Sequence, residues 1–186
     1  RFALGPARLD FSRISGGPGL VLFLNFKMYN EHMKKFQIAV IFVFLSFIVY
    51  FVSTQKTYQH LHYFVPLADS LIHGRLDVPA NPVLNELVPR DGKFYVVYPP
   101  MPALVLVPFV AVFGADFNQK WGSVIIASIT IGLFYLLITK FTKKTWIQIL
   151  LTLLLSFGTN FYFTALAGTS WYFAHICAVF FVTASL

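Results

Sequence analysis

Three stretches of this chain run for 17 to 22 residues without a single charge, at 36–52, 121–139 and 146–167. A fourth opens near Tyr172 and is still unbroken at Leu186. About 20 apolar residues cross the ~30 Å hydrocarbon core of a bilayer, and roughly 17 is the lower bound. Backbone amides in hydrocarbon find no water, so each run must satisfy its own hydrogen bonds as a helix. Four spans are therefore expected, at 36–52, 121–139, 146–167 and 172–186, the last of them truncated. The expected fold class is all-α integral membrane, with about four transmembrane helices and a large external loop carrying juxtamembrane helices.

Composition points the same way. Charged residues make up 11% of the chain, against about 25% in an ordinary soluble domain, which excludes a water-soluble globule. The excess of Lys and Arg adjoins the apolar runs and forms no basic patch of its own, so the expected partner is a lipid bilayer and not nucleic acid. The one cysteine, Cys177, has no intrachain disulfide partner.

The basic residues choose the orientation. Arg1, Arg8, Arg13, Lys27, Lys34 and Lys35 precede the first span, and Lys140, Lys143 and Lys144 fill the turn between the second and third. Positive flanks stay inside, which places the amino terminus and the lysine turn in the cytoplasm and the charge-balanced stretch 53–120 outside. Residues 1–35 are expected to form a cytoplasmic amino-terminal segment. Its first 27 residues show no helical or strand period and read as upstream sequence, whereas Met28 or Met33 before the lysine pair reads as a natural start. Residues 36–186 then form the membrane domain of a longer protein, integral to a membrane expected to be the bacterial cytoplasmic one.

One apolar run does not fit a span. Met101 to Phe113 has 13 residues, or about 20 Å of helix, and crossing there would force the lysine turn outside. It is expected as a juxtamembrane or re-entrant helix within 99–114, opened by Pro99 and Pro100 and kinked at Pro108, which lacks an amide. Upstream, Phe64, Leu67, Ala68, Leu71 and Ile72 recur at helical spacing, with Asp69, Ser70 and His73 opposite and Gly74 as a stop. This predicts a surface helix over 63–74. The turn at Asp91-Gly92 between Glu86–Val88 and Lys93–Tyr98 predicts a hairpin.

This order of elements resembles the GT-C superfamily of polytopic glycosyltransferases, the group of the protein O-mannosyltransferases and the lipid A aminoarabinose transferase. The matching features are the first span, the Ala68-x-x-Leu71-x-x-Gly74 pattern, the Gly92-Lys93-x-Tyr95 strand and the turn Tyr98-Pro99-Pro100-Met101-Pro102. A juxtamembrane helix ending in Phe113-Gly114 and a span closing on a basic turn follow. The resemblance covers roughly 33–186, the amino-terminal portion of such an enzyme. It implies sugar transfer from a polyprenyl-phosphate donor to an acceptor on the external face, with an acidic loop residue as base or metal-linked acid. Where family members carry Asp, often Asp-Glu, this chain reads Gln59-His60.

Transfer of this kind needs a base for the acceptor proton and positive charge for the departing phosphate. Asp69 is the first candidate for the base, its other reading being a solvated residue on the helix's polar face. Glu86 is the second choice, and Asp91 reads as a turn former. Arg75 and Lys93 are candidates to meet a lipid phosphate, with Tyr95 and Tyr98 beside them as substrate-binding residues. His60 and His62 would share one side of an extended segment and could hold a divalent cation with Asp69. His175 is the one ionisable side chain within a span apart from thiol and phenol groups, which marks it as a binding candidate. Gly158, Thr159 and Asn160 read as helix-packing residues. The runner-up function is a non-catalytic polytopic membrane protein, either a transporter component or an inactive GT-C relative.

Overall fold

The computed structural model describes residues 18–54, 61–81, 84 and 86–186. The chain divides into two units at residues 37 and 38. The first is described as the leading part of helix α1, which runs unbroken from Pro18 to Ser53. The helix thus begins well before the expected span at 36, because Leu20 to Met28 carries no proline and no glycine to stop it. Residues 1–17 lie outside the described part.

The second unit, residues 38–186, is mostly helical. After α1 come α2 (Phe64–Ile72), α3 (Met101–Phe113), α4 (Gln119–Phe141), α5 (Thr145–Phe157), α6 (Asn160–Ala167) and α7 (Ser170–Ser185). Two helical stretches are long and apolar enough to cross a membrane, Tyr29–Ser53 and Gln119–Phe141, or three if the bent pair α5–α6 counts as one span. Over the expected span 146–167 the chain forms two helices, bent by 46° at Gly158 and Thr159. The helical turn fails there because Gly158 has a weak helix preference and the Thr159 side chain accepts a hydrogen bond from the Phe161 amide, starting a new helix. At 16 and 13 residues, α7 and α3 are shorter apolar helices. Pro100 caps α3, Pro102 sits in its first turn, and the helix continues through Pro108.

A small sheet interrupts the all-α expectation. Strands β1 (Asp77–Val78), β2 (Leu87–Arg90) and β3 (Lys93–Val96) form an antiparallel sheet in the order β1-β3-β2. Asp91 and Gly92 close the expected hairpin with φ of 52° and 75°, the doubly left-handed corner that an Asp-Gly pair favours. Two-residue β1 had no readable alternation and went unforeseen. Register places Asp77, Val88 and Tyr95 on one face with Arg90 and Lys93, and Val78, Leu87, Phe94 and Val96 on the other. The second face packs on the core.

Packing between helices relies on small and hydroxyl side chains. Ser123 donates to the Ala165 carbonyl of α6 at 3.0 Å. Ser128, Thr130, Thr152 and Ser156 each return their hydroxyl to the carbonyl four residues earlier, which satisfies a buried polar atom without leaving the helix. A Cβ on Gly132 would meet the Ala39 carbonyl of α1 at 3.2 Å, so α1 and α4 approach at a point where only glycine fits. α2 packs chiefly on α3, burying Phe64, Val65, Leu67, Ala68 and Ser70. Ser70, expected on the polar face, therefore belongs to the buried one.

Candidate functional site

Two clefts open beside α2. One, of about 250 Å³, is lined by His62, Val65, Pro66, Asn81, Asp116 and Asn118 among others. The second, of about 220 Å³, shares Pro66, Asn81, Leu84 and Ala115 with it and adds Asp69. Together they form a polar trough between the start of α2, the 79–84 segment and the turn joining α3 to α4. Asp69 is thus where a base would be useful. Its carboxylate lies 3.8 Å from the His73 ring, and both are partly exposed. Buried His62 reaches the same trough, whereas His60 lies outside the described residues. Among the described residues no group of three or more His, Cys, Asp or Glu could hold a metal. The expected set of His60, His62 and Asp69 includes His60 and so lies partly outside the described residues.

Beneath the trough lies a larger apolar cavity of about 600 Å³. Its walls are Phe47 and Phe51 from α1, Phe109 and Phe113 from α3, Phe117, and Trp121 and Ile125 from α4, with Asp116 as the one charged residue. Phe109 and Phe113 both stack on Phe117, with centroids at 5.5 and 5.8 Å. Phe51 stacks on Trp121 at 5.0 Å. Asp116 and Phe117 line both spaces. Sequence periodicity does not reveal this junction, because Phe117 lies in the turn after α3 and meets Phe109 and Phe113 only once the chain folds back.

The remaining candidates fall elsewhere. Glu86 and Tyr98 meet away from the trough. The Tyr98 hydroxyl donates to the Glu86 carboxylate, and Trp171 of α7 donates its indole N–H to Tyr98. The Tyr63 ring lies tilted against Tyr98, with centroids 5.4 Å apart, and its hydroxyl accepts from the Glu86 amide at 3.3 Å. Desolvation, then the hydrogen bond to Glu86, push the Tyr98 phenol up to about 12, so it remains a donor at neutral pH. This cluster ties the sheet to the start of α7 and reads as structural.

Lys93 and Tyr95 project from the outer face of the sheet. Lys93 Nζ lies 3.3 Å from the Asp77 carboxylate, and Arg75 is exposed nearby in sequence. Neither cation lines the trough: β-strand alternation turns Lys93 away from the core, and Arg75 lies in the exposed link between α2 and β1. Burial pushes the Asp77 carboxyl up, but the Lys93 hydrogen bond, its own backbone amide and the charges of Lys93 and Arg75 together hold it below the ordinary 3.8. A depressed carboxyl contributes stability above its unfolded value, and that contribution is lost as pH falls through the folded value. A carbon-detected titration of Asp77 should therefore show a midpoint below 3.8, and Lys93→Met should raise it. An unchanged midpoint in the variant would dissociate Asp77 from Lys93.

His175 lines a separate groove of about 230 Å³ beside the α5–α6 break, together with Asn160 and Thr164.

A fully buried junction positions the trough. Gln119, the first residue of α4, accepts from the Phe64 amide at 3.2 Å and donates to the Gly168 carbonyl at 2.9 Å. Ser170, the first residue of α7, accepts from the Tyr63 amide and donates to the Leu61 carbonyl, both at 2.8 Å. These bonds fix the segment that carries His62, Val65 and Pro66. Gly168 turns beneath it with φ +59°, and a Cβ there would come within 2.8 Å of the Lys120 backbone.

The chain matches no protein-family profile, no curated protein and no solved structure. Its class follows from its architecture: a mostly helical protein with two or three helices able to cross a membrane and a polar trough set against an aromatic cavity.

Proposed function

We propose that this chain belongs to a membrane glycosyltransferase of the GT-C kind, transferring a sugar from a polyprenyl-phosphate donor to an acceptor on the external face. In this reading α1, α4 and the α5–α6 pair cross the bilayer with the amino terminus and the lysine turn inside, in a bacterial cytoplasmic membrane. The observation that carries the reading is the wall shared by the two spaces at Asp116 and Phe117. An aromatic cavity suits an isoprenoid chain, a polar trough suits a sugar and its phosphate, and a lipid-linked sugar needs the two joined.

Asp116 and Asp69 are the carboxylates available to take the acceptor's proton as its oxygen bonds the sugar and the phosphate departs with the electrons of the broken bond. Asn118 caps a 23-residue helix at the trough, so the positive end of α4 faces the region where phosphate charge develops.

The test is transfer of labelled sugar from a panel of polyprenyl-phosphate sugars by membranes containing the full-length protein. Phe117→Ala should raise the KM for a long-chain donor about tenfold, as loss of one buried aromatic contact of ~1.5 kcal/mol requires, and leave a short-chain donor nearly unaffected. Absence of transfer from every donor would overturn the assignment. The transporter reading draws on the bent α5–α6 pair, since transporters use broken helices. It also expects coupling charges at that break, and none of the groove-lining residues there carries a fixed charge.

A further inference from the structure

The break between α5 and α6 is built, and it faces a groove. Breaking a helix in hydrocarbon is tolerated only where the freed backbone groups find new partners. Here the Ser156 carbonyl accepts from the Tyr50 hydroxyl of α1 at 2.8 Å, and the Leu155 carbonyl accepts from the Thr159 hydroxyl at 3.0 Å. The Gly158 amide still reaches the Leu154 carbonyl at 2.8 Å, and Thr159 caps α6. Tyr50 is fully buried, so a helix distant in sequence holds the bend in place.

The groove at the bend is mostly apolar, walled by Leu155, Phe161, Ile176 and Val179, and carries three polar side chains, Asn160, Thr164 and His175. Asn160 and His175 line the groove and are exposed, and among the described residues neither the Asn160 carboxamide nor the His175 ring has a hydrogen-bond partner. The Thr164 hydroxyl donates to the Asn160 carbonyl at 2.8 Å, which leaves its oxygen free to accept. By contrast, the exposed residues of α5 include Ile149, Leu150, Leu153 and Leu154, a surface suited to acyl chains. An unpaired amide and imidazole beside it are costly at membrane depth and mark a functional surface.

Depth and chemistry narrow the occupant. His175 lies five residues into α7, about 8 Å along the helix, and one turn below Trp171, whose indole bonds Tyr98 at the loop end. Trp and Tyr sit at headgroup level, so the groove falls just beneath the outer headgroups. Its donors and acceptors are an amide, an imidazole and a hydroxyl, with no Lys, Arg, Asp or Glu among its lining residues. Such a set hydrogen-bonds hydroxyl groups and offers a phosphate no fixed counter-charge. We infer that the groove at the α5–α6 break binds the hydroxyl-rich head of a membrane glycolipid, entering sideways from the outer leaflet, as a second lipid site separate from the aromatic cavity. The inference rests on the bilayer placement proposed above and not on sugar transfer.

The experiment is native mass spectrometry of the detergent-solubilised chain with monohexosyl diacylglycerol and with diacylglycerol of the same acyl chains. Wild type should retain the hexosyl lipid at least tenfold better, and Asn160→Leu and His175→Leu should each remove most of that preference. Asn160→Gln should keep it. Both leucine substitutions place apolar groups toward lipid, so unchanged helix content by circular dichroism is expected and excludes misfolding. Equal retention of the two lipids, or undiminished preference in the leucine variants, would overturn the inference. So would disulfide cross-linking of two chains through Asn160→Cys, which would give the groove to a second copy. Release of the chain from membranes by alkaline carbonate would instead overturn the bilayer placement itself.

Discussion

Gln119→Leu should cost the fold about 2–4 kcal/mol, because two buried backbone groups lose their partners at once and each unsatisfied group costs roughly 1–3 kcal/mol. Gln119 is fully buried. Its side chain satisfies the Phe64 amide, one of the four orphan donors at the start of α2, and the buried Gly168 carbonyl, left without a helical partner where α6 ends in a left-handed turn. Leucine nearly matches the volume and supplies neither a donor nor an acceptor, so the loss isolates hydrogen bonding from packing. Ser170→Ala should cost less, since one of its two backbone partners, the Leu61 carbonyl, is only partly buried. The double variant should fall short of the sum, because Gln119 Nε2 also lies 3.5 Å from Ser170 Oγ and the two side chains act on the same segment. Unfolding of the detergent-solubilised chain by thermal or denaturant titration measures both. A loss under ~0.5 kcal/mol for Gln119→Leu would mean that the segment 61–64 is held by packing alone.

That junction also marks the limit of what the sequence makes legible. The uncharged runs located α4, α7 and the end of α1 to within a few residues, though not the start of α1 at Pro18, and the Asp91-Gly92 corner located the hairpin. Those signals are local. Gln119 and Ser170 are separated by 51 positions, and nothing in the pattern around either one marks it as a partner of the chain near Tyr63. The bend at Gly158 was hidden for a different reason: an apolar run reads as one span whether or not it turns, and the glycine carries its meaning only together with the Thr159 cap and Tyr50. Lys93 was placed near a phosphate by the charge it carries, but strand register decides which face it takes, and a one-residue shift reverses it. Asp116 was passed over because it stands in a short turn with no second charge nearby. Its importance comes from Phe109, Phe113, Phe117 and Trp121, which bring an apolar cavity to the same turn.

Asp116→Asn should therefore damage sugar transfer more than Asp69→Asn does, although Asp69 stands in the loop helix where an acid is first sought. In a lipid-linked donor the bond that breaks joins the sugar to the phosphate, and the phosphate is the group nearest the prenyl chain. With the chain in the aromatic cavity, that bond lies by the shared wall, where Asp116 stands. Asp69 lines only the outer cleft with Pro79 and Ala80, where the acceptor arrives. Loss of a positioned base typically costs 10²–10⁴-fold, so Asp116→Asn should lower kcat by about that factor with little change in donor KM. Asp69→Asn should act mainly through acceptor KM, by about tenfold or less. Asparagine preserves shape and removes only the proton-accepting charge, and both side chains are at least partly exposed, so neither change is expected to unfold the chain. Steady-state kinetics with donor and acceptor varied in turn separate the two roles. A large kcat loss for Asp69→Asn with Asp116→Asn near wild type would move the reacting bond to the outer cleft, and the prenyl chain out of the aromatic cavity with it.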